Sequence, residues 1–327
     1  MALADLPRAP LGVFPTPLHR APELGELLGI ADLWIKRDDL SGFSWGGNKV
    51  RAAEFLLGDA HAVHATDLVV AGGPSSNFVA IMAAAGQAHG LAVHQVSYGS
   101  EPDRPVAALA ATRSCGATVT FTGSSDRSTM EIVGLEMAAE LTTGDRVGYP
   151  IPRGGGSSVG TLGFIAAAAE LAGQLEGPAT IVLPLGSGGS TAGLLAGAAL
   201  GDHDWRLVGA SVSRPADEIA MAVIDKAVGS ATLTGTNLEA SGIEPFLTVH
   251  DARGAGFGIA RPEEHHIADD VNAATGLLID ATYNAKALRW LADTTDLDGP
   301  VVYWHTGGIL GVIDQLGLTH IPEQIQT

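Results

Sequence analysis

One stretch of this chain limits its fold more than any other. The apolar run Thr180-Ile181-Val182-Leu183-Pro184-Leu185 empties directly into Gly186-Ser187-Gly188-Gly189-Ser190-Thr191-Ala192-Gly193. The short apolar run reads as a strand, in a pattern that fits helices packed on a parallel sheet. The residues behind it read as a tight turn into a helix from Ser190. Main-chain N–H groups left unpaired at such a helix start can converge on a phosphate dianion, and Ser187, Ser190 and Thr191 can add hydroxyl donors. A plain strand-to-helix turn would look the same. No Gly-Lys-Ser/Thr follows, so this is not a Walker loop. As a dinucleotide fingerprint it is weak, because Ser211–Arg214 offers no acidic residue after the next strand.

Similar alternation runs through most of the chain. Leu68–Ala71 reads as a strand, followed by the turn Gly72-Gly73-Pro74-Ser75-Ser76-Asn77 and a helix over about Phe78–His89. Further strands are expected at Leu91–Ser97, Ala117–Phe121, Arg146–Tyr149, Arg206–Ser213 and Val301–Trp304, with helices at Pro105–Ser114, Ser128–Leu141 and Ser158–Gln174. The Pro- and Gly-rich segment Tyr149–Gly156 is the best linker. The pattern predicts an α/β protein with two open, twisted, parallel-rich sheets, the first domain interrupting the second. Residues 1–52 and 153–327 would form the large domain and 53–152 a small inserted one.

Composition narrows the function. The chain has 327 residues, 46% hydrophobic but only 5% aromatic, with 43 glycines, which suits small-residue helices packed on a sheet. A net charge of -18 argues against nucleic acid and against anionic membranes as partners. The single cysteine, Cys115, permits no disulfide within the chain. With no cationic leader and no apolar run of spanning length, a soluble cytoplasmic protein is expected. His61, His64, His89, His94 and the pair His265-His266 lack metal-ligand spacing, so no catalytic metal is expected.

Two further motifs carry chemistry. In Lys36-Arg37-Asp38-Asp39-Leu40-Ser41-Gly42-Phe43-Ser44-Trp45-Gly46-Gly47-Asn48-Lys49-Val50-Arg51, two glycines and an asparagine deliver Lys49 to a helix start. Glycines there mark a close backbone approach, although a surface lysine is the ordinary alternative. A lysine able to form an imine and a separate phosphate-holding loop together point to pyridoxal 5'-phosphate; neither would do so alone. The turn Gly72–Asn77 suits a small carboxylate, such as that of an amino acid, at a helix N-terminus. Ser76 or Asn77 could equally be a mere helix cap.

Taken in order, these motifs resemble the pyridoxal-phosphate-dependent family of D-cysteine desulfhydrases and 1-aminocyclopropane-1-carboxylate deaminases, of the tryptophan-synthase β-like fold (fold type II). The likeness covers Pro15–Leu18, Ile35–Asp39, Gly46–Arg51, Ser76-Asn77, Gly186–Gly193, Ala281-Thr282-Tyr283-Asn284-Ala285-Lys286 and His305-Thr306-Gly307-Gly308. It implies Lys49 as the Schiff-base lysine, and Asn48, Asn77, Gly186, Ser187, Gly188, Gly189, Ser190, Thr191, Asn284 and Thr306 as cofactor contacts. By the same resemblance Ser75, Ser76, Asn77, Trp45, Phe257 and Tyr283 face the substrate. Ser76 would share in proton transfer, and Tyr283 would serve as an acid–base group. Fold relatives also imply a homodimer.

The chain departs from that pattern at several places. Phe78 stands where the family commonly has His, Ala52 replaces a lysine expected near the phosphate, and Phe257 replaces a tyrosine. Trp45 and Trp304 are bulkier than expected. Asn284 and His305-Thr306-Gly307-Gly308 are closer to the desulfhydrases than to the ring-opening deaminases, which carry an acidic residue at the asparagine position. The resemblance therefore implies β-elimination on a small amino acid, giving a 2-oxo acid and ammonia, with Lys49 as base or proton carrier at Cα. Ring opening, β-replacement by a second nucleophile, a silent amino-acid-binding homologue and a nicotinamide-dependent oxidoreductase are the alternatives.

Overall fold

In the computed structural model, which describes residues 2–294, 297 and 299–318, the apolar run before the glycine loop lies in a strand, Ala179–Leu185, whose every residue is buried. Numbered along the chain, the strands are β1 (Leu18–Arg20), β2 (Leu33–Arg37), β3 (Asp67–Ala71), β4 (Ala92–Ser97), β5 (Thr118–Phe121), β6 (Gly148–Ile151), β7 (Ala179–Leu185), β8 (Trp205–Ser211), β9 (Leu247–Asp251) and β10 (Val301–His305). The helices are α1 (Pro22–Leu28), α2 (Lys49–Ala62), α3 (Asn77–Ala88), α4 (Ala107–Ser114), α5 (Thr129–Leu141), α6 (Ser158–Ala172), α7 (Gly189–Leu200), α8 (Ala216–Leu233), α9 (Ala240–Ile243), α10 (Pro262–Thr275), α11 (Asn284–Ala292) and α12 (Ile309–Gln315).

Two sheets carry the fold. One has six strands in the order β1-β2-β10-β7-β8-β9, and the other has four in the order β5-β4-β3-β6. Every neighbouring pair runs parallel except β1 with β2. The four-stranded sheet is built within residues 67–151, between the segments 18–37 and 179–305 that supply the six-stranded one. β10 lies between β2 and β7, with His305 opposite Arg37 and Tyr303 opposite Val182. The motifs after β2, β7 and β10 therefore emerge together at the carboxyl ends of their strands, where open α/β sheets form ligand crevices.

One sequence boundary needs correction. Tyr149, Pro150 and Ile151, expected to begin a linker, belong to β6 and pair with β3. β6 is an edge strand, so the N–H that Pro150 lacks costs no ladder bond. The chain leaves the sheet at Pro152.

Close helix packing explains the shortage of aromatics. A Cβ on Gly163 of α6 would stand 2.2 Å from the Arg51 carbonyl of α2, and one on Gly193 of α7 would stand 2.4 Å from the Thr161 carbonyl. α2, α6 and α7 thus meet at backbone distance, and small residues are what such a contact admits. The core beneath includes Leu162, Phe164, Ile181, Leu183 and Leu194, all buried. Each contributes roughly 1.5–3 kcal/mol relative to exposure.

A buried ionic network fixes α2 two residues beyond Lys49. Arg51 donates to Asp38 Oδ2 (Nε, 2.9 Å) and to Glu170 Oε2 (Nη1, 2.9 Å), while Lys36 pairs with Glu170 and donates to the Thr16 carbonyl at 2.7 Å. Burial alone would raise the Glu170 carboxyl, but hydrogen bonds and charge from Arg51 and Lys36 prevail and hold it near about 2. Removing one member would strand buried charge, so the network locks the helix that presents the lysine. Among the described residues no helix is long and apolar enough to cross a membrane.

Candidate active site

A cavity of about 500 Å³ opens where loops from both sheets converge. Lys49 reaches it from the first position of α2. Gly47, at φ +96, makes the entry possible: a Cβ there would stand 2.9 Å from the Thr306 carbonyl, which itself accepts from Asn48 N at 3.0 Å. The Lys49 amine donates to the Gly154 carbonyl at 3.3 Å, and desolvation pulls its pKa from 10.5 down to about 8. No carboxylate neutralises it among the described residues. The result is an amine with an appreciable neutral, nucleophilic fraction near pH 7.

Facing it is the loop after β7. Gly186, Ser187, Gly188, Gly189, Ser190 and Thr191 all line the cavity. Gly188 adopts φ +91 as the N-cap of α7 and supplies no side-chain cap, so the first-turn N–H groups stay available. Asn48 Nδ2 donates to Ser190 Oγ at 2.9 Å and ties the lysine to this loop. Thr191 Oγ1 is buried without a hydrogen-bond partner. A hydroxyl in that state wants an acceptor or donor from outside the protein.

The turn after β3 forms another wall. Ser75, Ser76 and Asn77 line the cavity, and Ser76 Oγ also accepts from Val79 N at 3.3 Å, capping α3. The cap and the cavity position coexist. Gln95 Nε2 pins the turn by donating to the carbonyls of Gly72 (3.0 Å) and Gly73 (3.2 Å).

The last wall comes from the segment before α11. Tyr283 stands at the lining, with its ring edge 3.1 Å from where a Cβ on Gly186 would be. Burial, then Asp280, raise its pKa well above the ordinary phenol value, so it is a proton donor at neutral pH. Asp280 accepts from the N–H groups of Thr282 and Asn284, from Tyr283 N at 2.8 Å and from Asn284 Nδ2 at 2.6 Å. Burial pushes its carboxyl upward against those donors.

The structure brings together Trp45, Asn48, Lys49, Ser75, Ser76, Asn77, Gly186–Thr191, Phe257, Tyr283 and Thr306. Asn284, expected among the cofactor contacts, does not itself line the cavity. Its Nδ2 donates to Asp280 and to the Gly307 carbonyl, and its Oδ1 accepts from the Tyr303 hydroxyl (2.8 Å) and from Thr306 N and Oγ1 (both 3.3 Å). The amide is fully committed behind the wall, where it braces Thr306. Trp304 and Ala52 are also buried away from the cavity, and Trp304 packs against Phe164. Phe78 lines it only while packed on Gly155.

Sequence reasoning missed Tyr98, Asp280 and the cations Arg127, Arg153, Arg214 and Lys226, all of which border the cavity. They lie on segments remote in sequence from the lysine and the glycine loop. Only Asp280 had a local signal, four residues before Asn284.

Comparison with known proteins decides the family. The profile described as "pyridoxal-phosphate dependent enzyme" matches residues 9–307. The chain belongs to that family. It is 32% identical to a Pyrococcus abyssi protein provisionally named a 1-aminocyclopropane-1-carboxylate deaminase, with 95% of this chain and 94% of the relative covered. It is 31% identical to a D-cysteine desulfhydrase of Salmonella newport, covering 94% of this chain and 95% of that one. The solved structure titled as an ACC deaminase homologue superposes with a TM-score of 0.88 at 31% identity, over 97% of this chain and 98% of the other.

The residues present fit pyridoxal phosphate. The orphaned Thr191 hydroxyl and the uncapped start of α7 suit its phosphate, and the Lys49 amine suits its aldehyde. As a member of the family, the chain is a pyridoxal-phosphate-dependent enzyme of fold type II.

Proposed function

We propose that this enzyme is a lyase of the D-cysteine desulfhydrase kind, which expels a leaving group from Cβ of a small amino acid and yields a 2-oxo acid and ammonia. The observation that carries the reading is the desolvated Lys49 amine opening on the same cavity as the Gly186–Thr191 loop and the Ser75–Asn77 turn. Of the curated relatives, the Salmonella newport protein carries the desulfhydrase name and the Pyrococcus abyssi one that of the ring-opening rival.

Held by Lys49, pyridoxal phosphate would supply an electron sink that acidifies the substrate's Cα proton. In this reading Gly186, Ser187, Gly188, Gly189, Ser190 and Thr191 would hold the phosphate, with Asn48 fixing Ser190, and Asn77 would be a further cofactor contact. Thr306, oriented by Asn284, would be a further cofactor contact. Ser75, Ser76 and Asn77 receive the substrate carboxylate at the start of α3. Lys49 would accept the Cα proton, and Ser76 would assist that transfer. Tyr283, kept protonated by burial, donates toward the leaving group. Trp45 and Phe257 shape the mouth and exclude water.

The reading includes residues 1–52 and 153–327 as a large domain and 53–152 as a small one that supplies the carboxylate turn. Positions 1, 295, 296, 298 and 319–327 of that division lie outside the described residues. A cytoplasmic homodimer completes it, and sedimentation with cell fractionation checks both points.

The deciding experiment is the visible spectrum of the purified protein with pyridoxal phosphate, before and after D-cysteine, L-cysteine, D-serine or 1-aminocyclopropane-1-carboxylate, with 2-oxo acid assayed. The expected result is a lysine-linked band that one β-substituted amino acid perturbs with pyruvate release. Turnover of the cyclopropane substrate alone would replace elimination by ring opening. A band that no amino acid moves would defeat the lyase reading.

A further inference from the structure

One cation at the cavity is left without work by this reading. Arg127, from the segment between β5 and α5, lines the cavity and has no carboxylate partner among the described residues. Its guanidinium lies 4.4 Å from the Phe257 ring centroid and 5.0 Å from that of Tyr98, and donates a long bond of 3.5 Å to the Tyr98 hydroxyl. Both rings tie it to the reaction space. Tyr98 closes over the carboxylate turn, since a Cβ on Gly73 would stand 2.6 Å from its ring. Phe257 meets Tyr283 edge on, with centroids 5.7 Å apart.

The other cations at the cavity are accounted for differently. Arg153 faces Glu131 at 3.7 Å. Arg214 and Lys226 belong to the α8 side, where Val223 and Ile219 abut Gly188 of the phosphate loop. The chain as a whole has 18 Lys and Arg against 36 Asp and Glu. Its cavity reverses that balance: Lys49, Arg127, Arg153, Arg214 and Lys226 line it, against Glu131 and Asp280. Arg214 and Lys226 stand on the α8 side of the Gly186–Thr191 loop, whereas Arg127 stands on the Tyr98 and Phe257 rings.

We propose that Arg127 reads a second anionic group on the substrate, so that the enzyme favours small amino acids bearing a carboxylate, or a phosphate or sulfate ester, at or beyond Cβ. The proposal rests on the pyridoxal-phosphate lyase reading and names its substrate class. The physical case is preorganisation. Two ring faces hold the planar guanidinium in place and shed part of its water, while leaving N–H donors for a forked pair with an oxyanion. Phe257 has no hydroxyl to offer a neutral polar side chain in that corner. For a β-ester the chemistry balances with one water. The Cβ–O bond breaks with its electron pair on the departing oxyanion, the Cα proton passes to Lys49, and hydrolysis of the remaining enamine gives the 2-oxo acid and ammonia. A carboxylate-bearing amino acid has no such leaving group and binds only.

The test is titration of the holoenzyme with matched pairs, followed by the visible band and by 2-oxo acid. O-phosphoserine is set against O-acetylserine, and aspartate against asparagine, in both configurations. Each anionic member is expected to bind roughly tenfold or more tightly than its neutral partner. Arg127→Gln should erase that ratio and Arg127→Lys should retain part of it. Inorganic sulfate should compete with the anionic ligands and spare the neutral ones, a readout needing no variant. Equal binding within pairs, a ratio that survives Arg127→Gln, or sulfate without selective effect would overturn the proposal. So would equal loss of both members in Arg127→Gln, because Arg127 would then serve the common carboxylate. Absence of any cofactor band in the unaltered protein is a separate failure, that of the underlying cofactor reading.

Discussion

The loop after β7 and the turn after β3 are built alike, each leaving an interior parallel strand and opening a helix of 12 residues. They differ in how the helix start is satisfied. α3 spends a first-turn donor on its own Ser76 hydroxyl, and Gln95 clamps the two glycine carbonyls ahead of it. α7 begins at Gly188 with no side-chain cap, and its Thr191 hydroxyl is buried and unpartnered. A helix start that caps itself has little left for a ligand and suits a single carboxylate. One that leaves its donors open suits a phosphate with several acceptors. The comparison teaches that a shared turn geometry does not set the ligand; the unspent donors do.

The largest break comes from the lysine both turns serve. Lys49→Ala should abolish the lysine-linked band and lower turnover by about 100-fold or more, measured by absorbance and 2-oxo acid release. Next in size is pH. Burial lowers the Lys49 pKa to about 8, and only the neutral amine attacks an aldehyde. Capture of pyridoxal phosphate by the cofactor-free protein should therefore quicken by about tenfold per pH unit below that value and level off above it, as stopped-flow absorbance would show.

Two substitutions then separate the turns. Thr191→Val removes a hydroxyl that has no protein partner, so the cofactor-free protein should be unchanged or stabilised by up to about 1 kcal/mol in denaturant melts. Cofactor affinity should nonetheless fall by about tenfold, read by equilibrium dialysis. Ser76→Ala should do the reverse. It costs about 1 kcal/mol of stability through the lost cap and raises KM for the amino acid several-fold, leaving cofactor affinity unmoved. If Ser76→Ala weakened the cofactor and Thr191→Val did not, the assignment of the two turns would be inverted.

Much of the fold was legible because its signals are local. The apolar run ahead of Gly186 read as a strand, and β7 is one. Gly46-Gly47-Asn48 before Lys49 announced a close approach, and Gly47 lies against the Thr306 carbonyl. Pro150 misled, because proline marks a linker in sequence but is harmless on the outer side of an edge strand. Asn284 shows a different limit of a motif. Its place in a motif suggested contact with a ligand, yet Asp280, Tyr303, Thr306 and Gly307 consume its whole amide. A motif fixes which residues lie close in the chain, while hydrogen-bond supply in the folded protein fixes which of them remain free.

By itself the sequence determined the alternation of strands and helices, the lysine at a helix start and the glycine loop, since apolar period, capping and turn chemistry act over a few residues. Only the tertiary structure decided that β10 runs between β2 and β7 and so gathers Lys49, Gly186–Thr191 and Thr306 at one cavity. It alone placed Arg127 on the faces of Tyr98 and Phe257, from segments far apart along the chain. Nor could the sequence show that Lys49 would be desolvated, because burial is a property of everything packed around a group.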